Sequence, residues 1–554
     1  MKHTKYMLKP SIMDVMYPRM TLNQLRNMRQ TSSAWNQYMK KPCEDELKDA
    51  DRTQKCEYPY IYEPNHPLTT IQAQILCQAL RQSYAHNPSP IHIRVKDSDV
   101  GKFITFAKQS KAMQCLFSHY KVWISIDAIS EESLKESILE MNNISRNIKL
   151  GIATCKTLKM NYDEYKYIKF VEDGAFFNLE EGVDFSNLTK LTSIGDGAFY
   201  NLEEAPGFSK LANLTYIGNH AFYYLEKADF SNLTQLTHIG DKAFENLKKA
   251  PGFSNLVNMT YIGIDAFRRL RKVTDFSALT NLTVIRSGAF FSLKEAPGFS
   301  NLINLTHIGC DVFSNLKEAD FSKLTNLEYI GNWAFGMLIK DPDFSTLVNL
   351  THIGDHAFHL LEEAPDFSKL ANLTHIGDSA FYNLEEATDF SGLTKLKHIG
   401  RNAFYSLKEA RGFSDLTKLT NIGEYAFFSL EKVSDCSGLT KLKFIGRKAF
   451  YSLKEVIGFS NMINLRYIGD EAFYSLKEAL GFSNMINLRY IGDEAFYNVE
   501  ETPNLSDLKK LKHIGYEAVG TITHFLYKKS HHEESSDGES EDDFDLEESS
   551  DDKD

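Results

Sequence analysis

The stretch GFSNMINLRYIGDEAFY occupies residues 458–474 and returns letter for letter at 481–497. Seventeen identical residues at an offset of 23 expose the period of the chain. Anchored on the Phe of its Ala-Phe pair, the unit recurs from Phe176, Phe199 and Phe222 through to Phe496, in steps of 23 with two steps of 22, and a decayed copy ends at Val519. Counting from that Phe, Leu stands at +3, Ala or Val usually at +6 and a second Phe usually at +9. Leu follows at +12 and +15, Ile at +18 and Gly at +19. This is neither a sustained 3.6 period nor strict alternation. An apolar residue about every third position, with Gly at a fixed corner, suits a chain that completes one coil per unit and stacks coil on coil. The two Phe positions hold 28 of the 38 Phe, so most of the aromatic content is assigned to the core. The 17-residue twin is one duplicated coil, and its Phe459, Met462, Leu465, Ile468, Ala472 and Phe473 are expected to face inward. Earlier coils alternate between APGFSxLxN and DFSxLTxL, which indicates pairwise growth.

The recurrent Gly, from Gly195 and Gly218 to Gly515, is expected to turn a corner with φ > 0 where any Cβ would clash. Glu172 and Arg286 replace it in two coils. The LxxIGxxAFxxL signature over about 171–519 resembles leucine-rich repeats of the BspA type. That resemblance implies a solenoid that binds proteins, without naming a ligand. The middle of the unit departs from the family: AxxFSNL stands where an LxxVxLP-like strand is usual, so the strand is expected to include the second Phe. The expected fold class is a leucine-rich repeat solenoid, mainly short stacked strands and turns, over 166–519. It carries a small N-terminal helical module (1–40), a linker (41–69), an irregular α/β cap (70–165), a C-terminal cap (520–530) and a disordered acidic tail (531–554).

Repetition turns one position into a row, so rows are where function is sought. The position before the Ile carries Tyr216, His238, Tyr261, His307, Tyr329, His352, His375, His398, Tyr467 and Tyr490, with Phe444 and His513. It is either a stripe of aromatic anchors for a partner or a stack that stabilises neighbouring strands. His352, His375 and His398 fall in consecutive coils, but no Cys or acid accompanies them at fixed spacing, so no metal site and no cofactor is assigned. A second aromatic row follows the Ala-Phe pair, at Phe177, Tyr200, Tyr223, Phe291, Tyr382, Tyr405, Phe428, Tyr451, Tyr474 and Tyr497. A charged row after the +3 Leu, with EE, EK, KK and KE pairs, reads as a solvated face with weak ion pairs. The position before the His/Tyr row is Thr in most early coils and becomes Lys397, Lys443, Arg466, Arg489 and Lys512 later. This basic stripe suits an acidic partner or the chain's own tail.

Ahead of the repeats, MLKPSIMDVMYPRMTLNQLRNMRQTSSAWNQYM (7–39) suggests two or three short helices. It resembles the F-box, which docks onto the Skp1-type adaptor of cullin ubiquitin ligases. The matching positions are Leu8, Pro10, Ile12, Met20, Leu25 and Trp35, with RQTSSAW standing for the closing motif. Lys9 splits the opening Leu-Pro and Thr31 stands where Val is usual, and a plain helical cap is the other reading. Strand-like runs at 91–95, 121–127 and 147–153, with helix-like EESLKESILEM between the last two, suggest longer irregular coils covering the exposed edge of the stack.

The net charge of −12 resides in residues 531–554, which hold thirteen acids and one lysine, so the remainder sums to zero. A near-neutral solenoid argues against specific nucleic-acid binding. Ser536, Ser540 and Ser549 each precede an acid by three residues, a pattern resembling casein-kinase-2-type phosphorylation sites, although a plain solubilising tail is the simpler reading. Seven cysteines without CxxC or zinc-type spacing read as a reduced chain. Asn-x-Thr triplets recur from Asn187 and Asn213 to Asn349 and Asn372, and stacked glycans there would collide. With no signal-like or membrane-spanning run, the expectation is a cytoplasmic or nuclear, non-secreted monomer that is not an enzyme. Its solenoid binds protein targets. The leading functional reading is an F-box-type substrate receptor. The alternative is a stand-alone binding scaffold, or less readily a surface adhesin.

Overall fold

A dipeptide is all of each coil that becomes sheet strand: Tyr216–Ile217, His238–Ile239 and Tyr261–Ile262, and likewise His352–Ile353, His375–Ile376 and His398–Ile399. Each pairs in parallel and in register with its neighbours, Tyr216 opposite His238 and His352 opposite His375. The computed structural model describes residues 91–519 and the backbone of Tyr60–Ile61. Within that range it leaves out 111–112, 115–116, 118–121, 129, 142–147, 156–162, 178, 180–182, 273–274, 341, 479–481, 501–504 and 506. The F-box-like module, the C-terminal cap and the acidic tail therefore lie outside the described residues. The chain divides into two units, Met1–Leu316 and Lys317–Asp554.

The first unit opens with wider strands: β1 (Tyr60–Ile61), β2 (Ile91–Lys96), β3 (Val122–Ala128), β4 (Ile148–Cys155) and β5 (Ile168–Val171), paired in parallel in that order. β1 falls inside the stretch expected to be a linker, which corrects that reading by one short strand. In β3, five of seven residues are buried, as expected of a parallel strand covered on both faces. The cover includes α1 (Val100–Gln109) and α2 (Glu131–Met141). α1 buries Val100, Phe103, Ile104 and Ala107, the i, i+3, i+4, i+7 stripe of an amphipathic helix. α2 starts with a reciprocal cap, because the Ser130 hydroxyl accepts from the Ser133 N–H and the Ser133 hydroxyl accepts from the Ser130 N–H. The strand β5 then pairs with Ser193–Ile194, the first strand of the regular coils.

In both units the coil interior is the expected ladder. Ile at +18, Leu at +3, +12 and +15 and both Phe positions are buried. The Ala-Phe rings stack coil on coil, 5.3 Å apart for Phe199 and Phe222 and 5.3 Å for Phe381 and Phe404, while the second Phe meets them edge-on. The second Phe is not on the sheet. It opens a one-turn 3₁₀ segment, Phe208–Lys210 or Phe367–Lys369, so the expectation that the strand includes it is corrected. In the second unit a short second sheet forms just before it, from Thr388–Asp389, Glu409–Arg411 and Lys432–Val433, and in the first unit parallel bridges join Glu204, Lys227 and Lys249 at the corresponding place.

The recurrent Gly also has a different reason from the one expected. Among the described glycines it is absent from those with positive φ; instead the residue two places on, such as His220, Lys242, His356 or Asn402, is left-handed in coil after coil. A Cβ on Gly218 would stand 2.6 Å from the Asp196 N, and one on Gly377 2.5 Å from the Asp355 N. Close backbone approach, and not a special φ, excludes a side chain. Glu172 escapes because its neighbour is β4, and its carboxylate reaches Arg94 Nη1 at 3.6 Å. Arg286 turns its guanidinium toward the Tyr261 ring, 5.8 Å away.

The two-coil alternation has a steric cause as well. In DFS coils the Asp caps the turn, as Asp184 Oδ1 accepts from the Ser186 N at 2.9 Å ahead of a 3₁₀ segment and Asp389 Oδ1 from the Ser391 N at 2.9 Å. In the following PGFS or RGFS coil, Gly207 or Gly412 takes φ of 73° or 76° at the same place. A Cβ on Gly207 would lie 2.6 Å from Asp184 Oδ1. The capped turn of one coil fills the space that the next leaves by having glycine.

Candidate functional site

The outward rows differ in what their geometry permits. Along the sheet, the His/Tyr side chains are half-buried and stacked. In the first unit Tyr216, His238 and Tyr261 stand 4.7 and 4.3 Å apart, and His307 is exposed beyond the non-aromatic Val284. In the second unit Tyr329 tilts on His352 at 6.1 Å, His352 stacks on His375 at 4.6 Å, and His375 tilts toward His398 at 6.1 Å. After Asn421 the row resumes as Phe444, Tyr467, Tyr490 and His513, spaced 4.6, 4.6 and 4.4 Å. Within each unit the stripe residues stack in short runs interrupted at Val284 or Asn421, and stacking is their evident first task. Nδ1 of His352 and of His375 lies 2.8 Å from the hydroxyls of Thr351 and Thr374. Parallel rings do not converge on a point, and no group of three His, Cys, Asp or Glu among the described residues forms a metal-holding cluster. Burial lowers the pKa of His398, against the opposing influence of Asp378 and Asp355.

The second aromatic row is longer. His359, Tyr382, Tyr405, Phe428, Tyr451, Tyr474 and Tyr497 stack at 4.8–5.0 Å without a gap. Burial raises the pKa of Tyr405, with Tyr382 adding to the effect. In the first unit Phe177, Tyr200 and Tyr223 make a shorter stack, and Arg268 lies 4.6 Å over Phe291.

The charged row consists of ion pairs between adjacent coils: Lys248–Glu226 at 2.5 Å, Lys408–Glu385 at 2.9 Å and Lys454–Glu431 at 2.8 Å. The basic stripe behaves differently. Lys397, Lys443, Arg466, Arg489 and Lys512 are all exposed, and among the described residues none has a carboxylate within ion-pair distance. Two residues before each rung runs a parallel column. It is Asn349 and Asn372 in the earlier coils and becomes Lys395, Lys418 and Lys441, with Lys510 near the end. Lys418 lies close enough to Lys441 to lower its pKa below the usual lysine value.

The Asn-x-Thr triplets that immediately precede the His/Tyr row resolve into two hydrogen-bond ladders. The Asn side chain donates to a carbonyl of the preceding coil, as from Asn213 to Thr189 at 2.7 Å and from Asn349 to Thr325 at 2.8 Å. The Thr hydroxyl does likewise, Thr215 to Thr192 and Thr374 to Thr351, each at 2.9 Å. The spacing that resembles a glycosylation signal is a device for joining coils.

One cluster escaped the sequence reading. Trp333 takes the left-handed position with φ 56° and is 40% exposed. It stacks on His356 at 4.1 Å and tilts toward His359 at 5.6 Å. Gly336 stands where Tyr or Phe is usual, and a Cβ there would press on the indole at 2.8 Å. The same coil exposes Met337 and Ile339, the latter where the next coil has Glu362. Burial and the neighbouring His359 lower the pKa of His356. The available signal was the break in pattern: NWAFGMLI departs from the repeat at four positions within eight residues. The adaptor-binding candidates Leu8, Pro10, Ile12, Met20, Leu25 and Trp35, and the serines Ser536, Ser540 and Ser549, lie outside the described residues.

Comparison with known proteins places these rows in context. The model of the BspA type leucine rich repeat region matches residues 169–296, 299–411 and 397–522. No curated protein matches the chain. Among solved structures, a leucine-rich repeat protein from Bacteroides ovatus is similar at 20% identity, covering 63% of this chain and 87% of that one with a TM-score of 0.38. A leucine rich cell surface protein from Faecalibacterium prausnitzii is 15% identical, with 65% and 85% covered and a TM-score of 0.26. An internalin from Listeria monocytogenes is 13% identical, with 75% and 93% covered and a TM-score of 0.23.

Proposed function

We propose, from the premise that this chain belongs to the BspA-type leucine-rich repeat family, that it is a non-catalytic scaffold that binds other proteins. The observation that carries this reading is the Trp333 coil. A 40% exposed indole lies with Met337 and Ile339, 43% and 46% exposed, in a single coil. Exposed apolar groups of this kind mark contact sites, and Trp is favoured at their energetic centre. The stacked rows hold neighbouring coils rigid, which lowers the ordering cost of binding. The test is photo-crosslinking from a reactive residue at 337, compared with one at Glu385 on the ion-paired row. Protein adducts specific to 337, and lost in Trp333→Ser, support the reading. Adducts equal at both sites sink it.

A narrower version makes the scaffold an F-box-type substrate receptor of a cullin ubiquitin ligase, as a monomer in the cytoplasm or nucleus. Its support is the resemblance of residues 8–35 to the docking module. Purified Skp1-type adaptor should bind the full chain and lose binding on Leu25→Ala with Trp35→Ala; an adaptor that ignores the unaltered chain removes this version and leaves the scaffold standing. The compartment is supported by the Asn side chains, whose donors are already used between coils, and by the buried thiol of Cys436, whose pKa burial raises strongly. Glycosidase-sensitive mass on the natural protein would argue instead for the surface-adhesin alternative.

A further inference from the structure

Among the described residues the basic stripe of the second unit has no carboxylate within ion-pair distance, whereas Lys408 and Lys454 on the charged row are paired with Glu385 and Glu431. At 349 and 351, and at 372 and 374, the pair is Asn and Thr; from 395 and 397 onward every pair holds at least one Lys or Arg. The Asn372 and Thr374 side chains donate to carbonyls of the preceding coil, whereas Lys395 and Lys510 donate instead to the Asn372 and Asn487 side chains there. Like charges also crowd, as Lys418 does on Lys441. A row of exposed cations without carboxylate partners suits an anion. One is present in the chain: residues 531–554 carry thirteen acids and one lysine.

We propose that residues 531–554 lie along the Lys397–Lys512 stripe of the same molecule as an electrostatic cover. Eleven residues separate Val519 from His531, and extended they span about 40 Å. Lys397 is five coils from Lys512, about 24 Å at a strand spacing near 4.8 Å. The whole stripe is within reach. Tethering gives the segment an effective concentration of order mM, so weak contacts suffice to hold it. An acidic protein arriving at the same stripe must displace it. The contact is between solvated charges, so it weakens as salt shortens the screening length.

The experiment uses the full chain and a zero-length carbodiimide, which joins carboxylates to lysines in contact, with sites read by mass spectrometry. Acids of 531–554 should join Lys418, Lys441, Lys443 and Lys512 at low salt. The yield should be unchanged on tenfold dilution and lost in about 0.5 M salt. A companion measurement uses labelled poly-glutamate. A chain with every acid of 531–554 changed to its amide should bind it about tenfold more tightly than the unaltered chain. Adding Lys443→Thr, Arg466→Thr and Arg489→Thr should abolish that gain. Thr fills the same place in other coils, and an unchanged melting curve checks the fold. Links spread evenly over lysines before 395, links that vanish on dilution (a second copy), or poly-glutamate binding indifferent to the tail would each overturn the proposal.

Discussion

The β2–β5 segment and the regular coils of the second unit solve the same problem, the exposed face of a parallel sheet, in different ways. β2–β4 use strands of six to eight residues and cover them with helices. The coils use two-residue strands and close the circuit with turns whose side chains repeat as rows. In the first region stability is regional, carried by a few long elements. In the second it is a chain of nearest-neighbour contacts. One consequence is that a given substitution should have different reach, and sometimes opposite sign, in the two places.

The largest effect is expected from the core. Phe404→Ala, buried between the rings of Phe381 and Phe427, should cost about 3–5 kcal/mol. Hydrogen exchange should accelerate in the adjoining coils and little beyond. Ile124→Ala in β3 should cost about 2–5 kcal/mol and expose β2, β3 and β4 together. Equal spread of exchange in the two variants would erase the distinction between regional and local stability.

Glycine gives the sharpest contrast. Gly377→Ala forces a Cβ against the Asp355 backbone and should destabilise by roughly 1–3 kcal/mol. Gly101→Ala, inside α1 with nothing within 4 Å of its Cβ position, should stabilise by about 0.5–1 kcal/mol. Thermal melts of the two variants should move in opposite directions. A smaller effect, about 1 kcal/mol, is expected for the cap in Asp366→Ala, read by denaturant titration.

The His398 imidazole has its pKa lowered in the folded chain, mainly by burial. The unfolded chain therefore takes up a proton first, near the ordinary value of about 6.5. Its contribution is fully present above that pH and is lost as pH falls through the folded value. The second unit should lose stability on acidification below about 6.5, and less so in His398→Asn, as urea titrations at stepped pH would record. Smallest of all should be the effect of breaking Lys408–Glu385 with Lys408→Ser, a pair of solvated charges whose contribution shrinks further in high salt, as thermal melts at two salt concentrations would show.

Periodicity alone determined the solenoid, the inward rows and the register, because a 23-residue unit has few ways to bury two Phe, three Leu and an Ile at fixed offsets. It also marked the ion-paired row, since opposite signs one coil apart must face each other. The roles of single residues between those positions depended on neighbours 22 to 24 residues away. The recurrent Gly is small because the preceding coil's backbone is 2.5 Å from where its Cβ would be, a distance no single unit contains. The second Phe leaves the sheet because Asp caps and left-handed Gly turn the chain ahead of it. Asn-x-Thr is a pair of ladders because the acceptors lie in the coil before. Trp333 is exposed because Gly336 clears the space it occupies, a pairing visible only once the coil is closed.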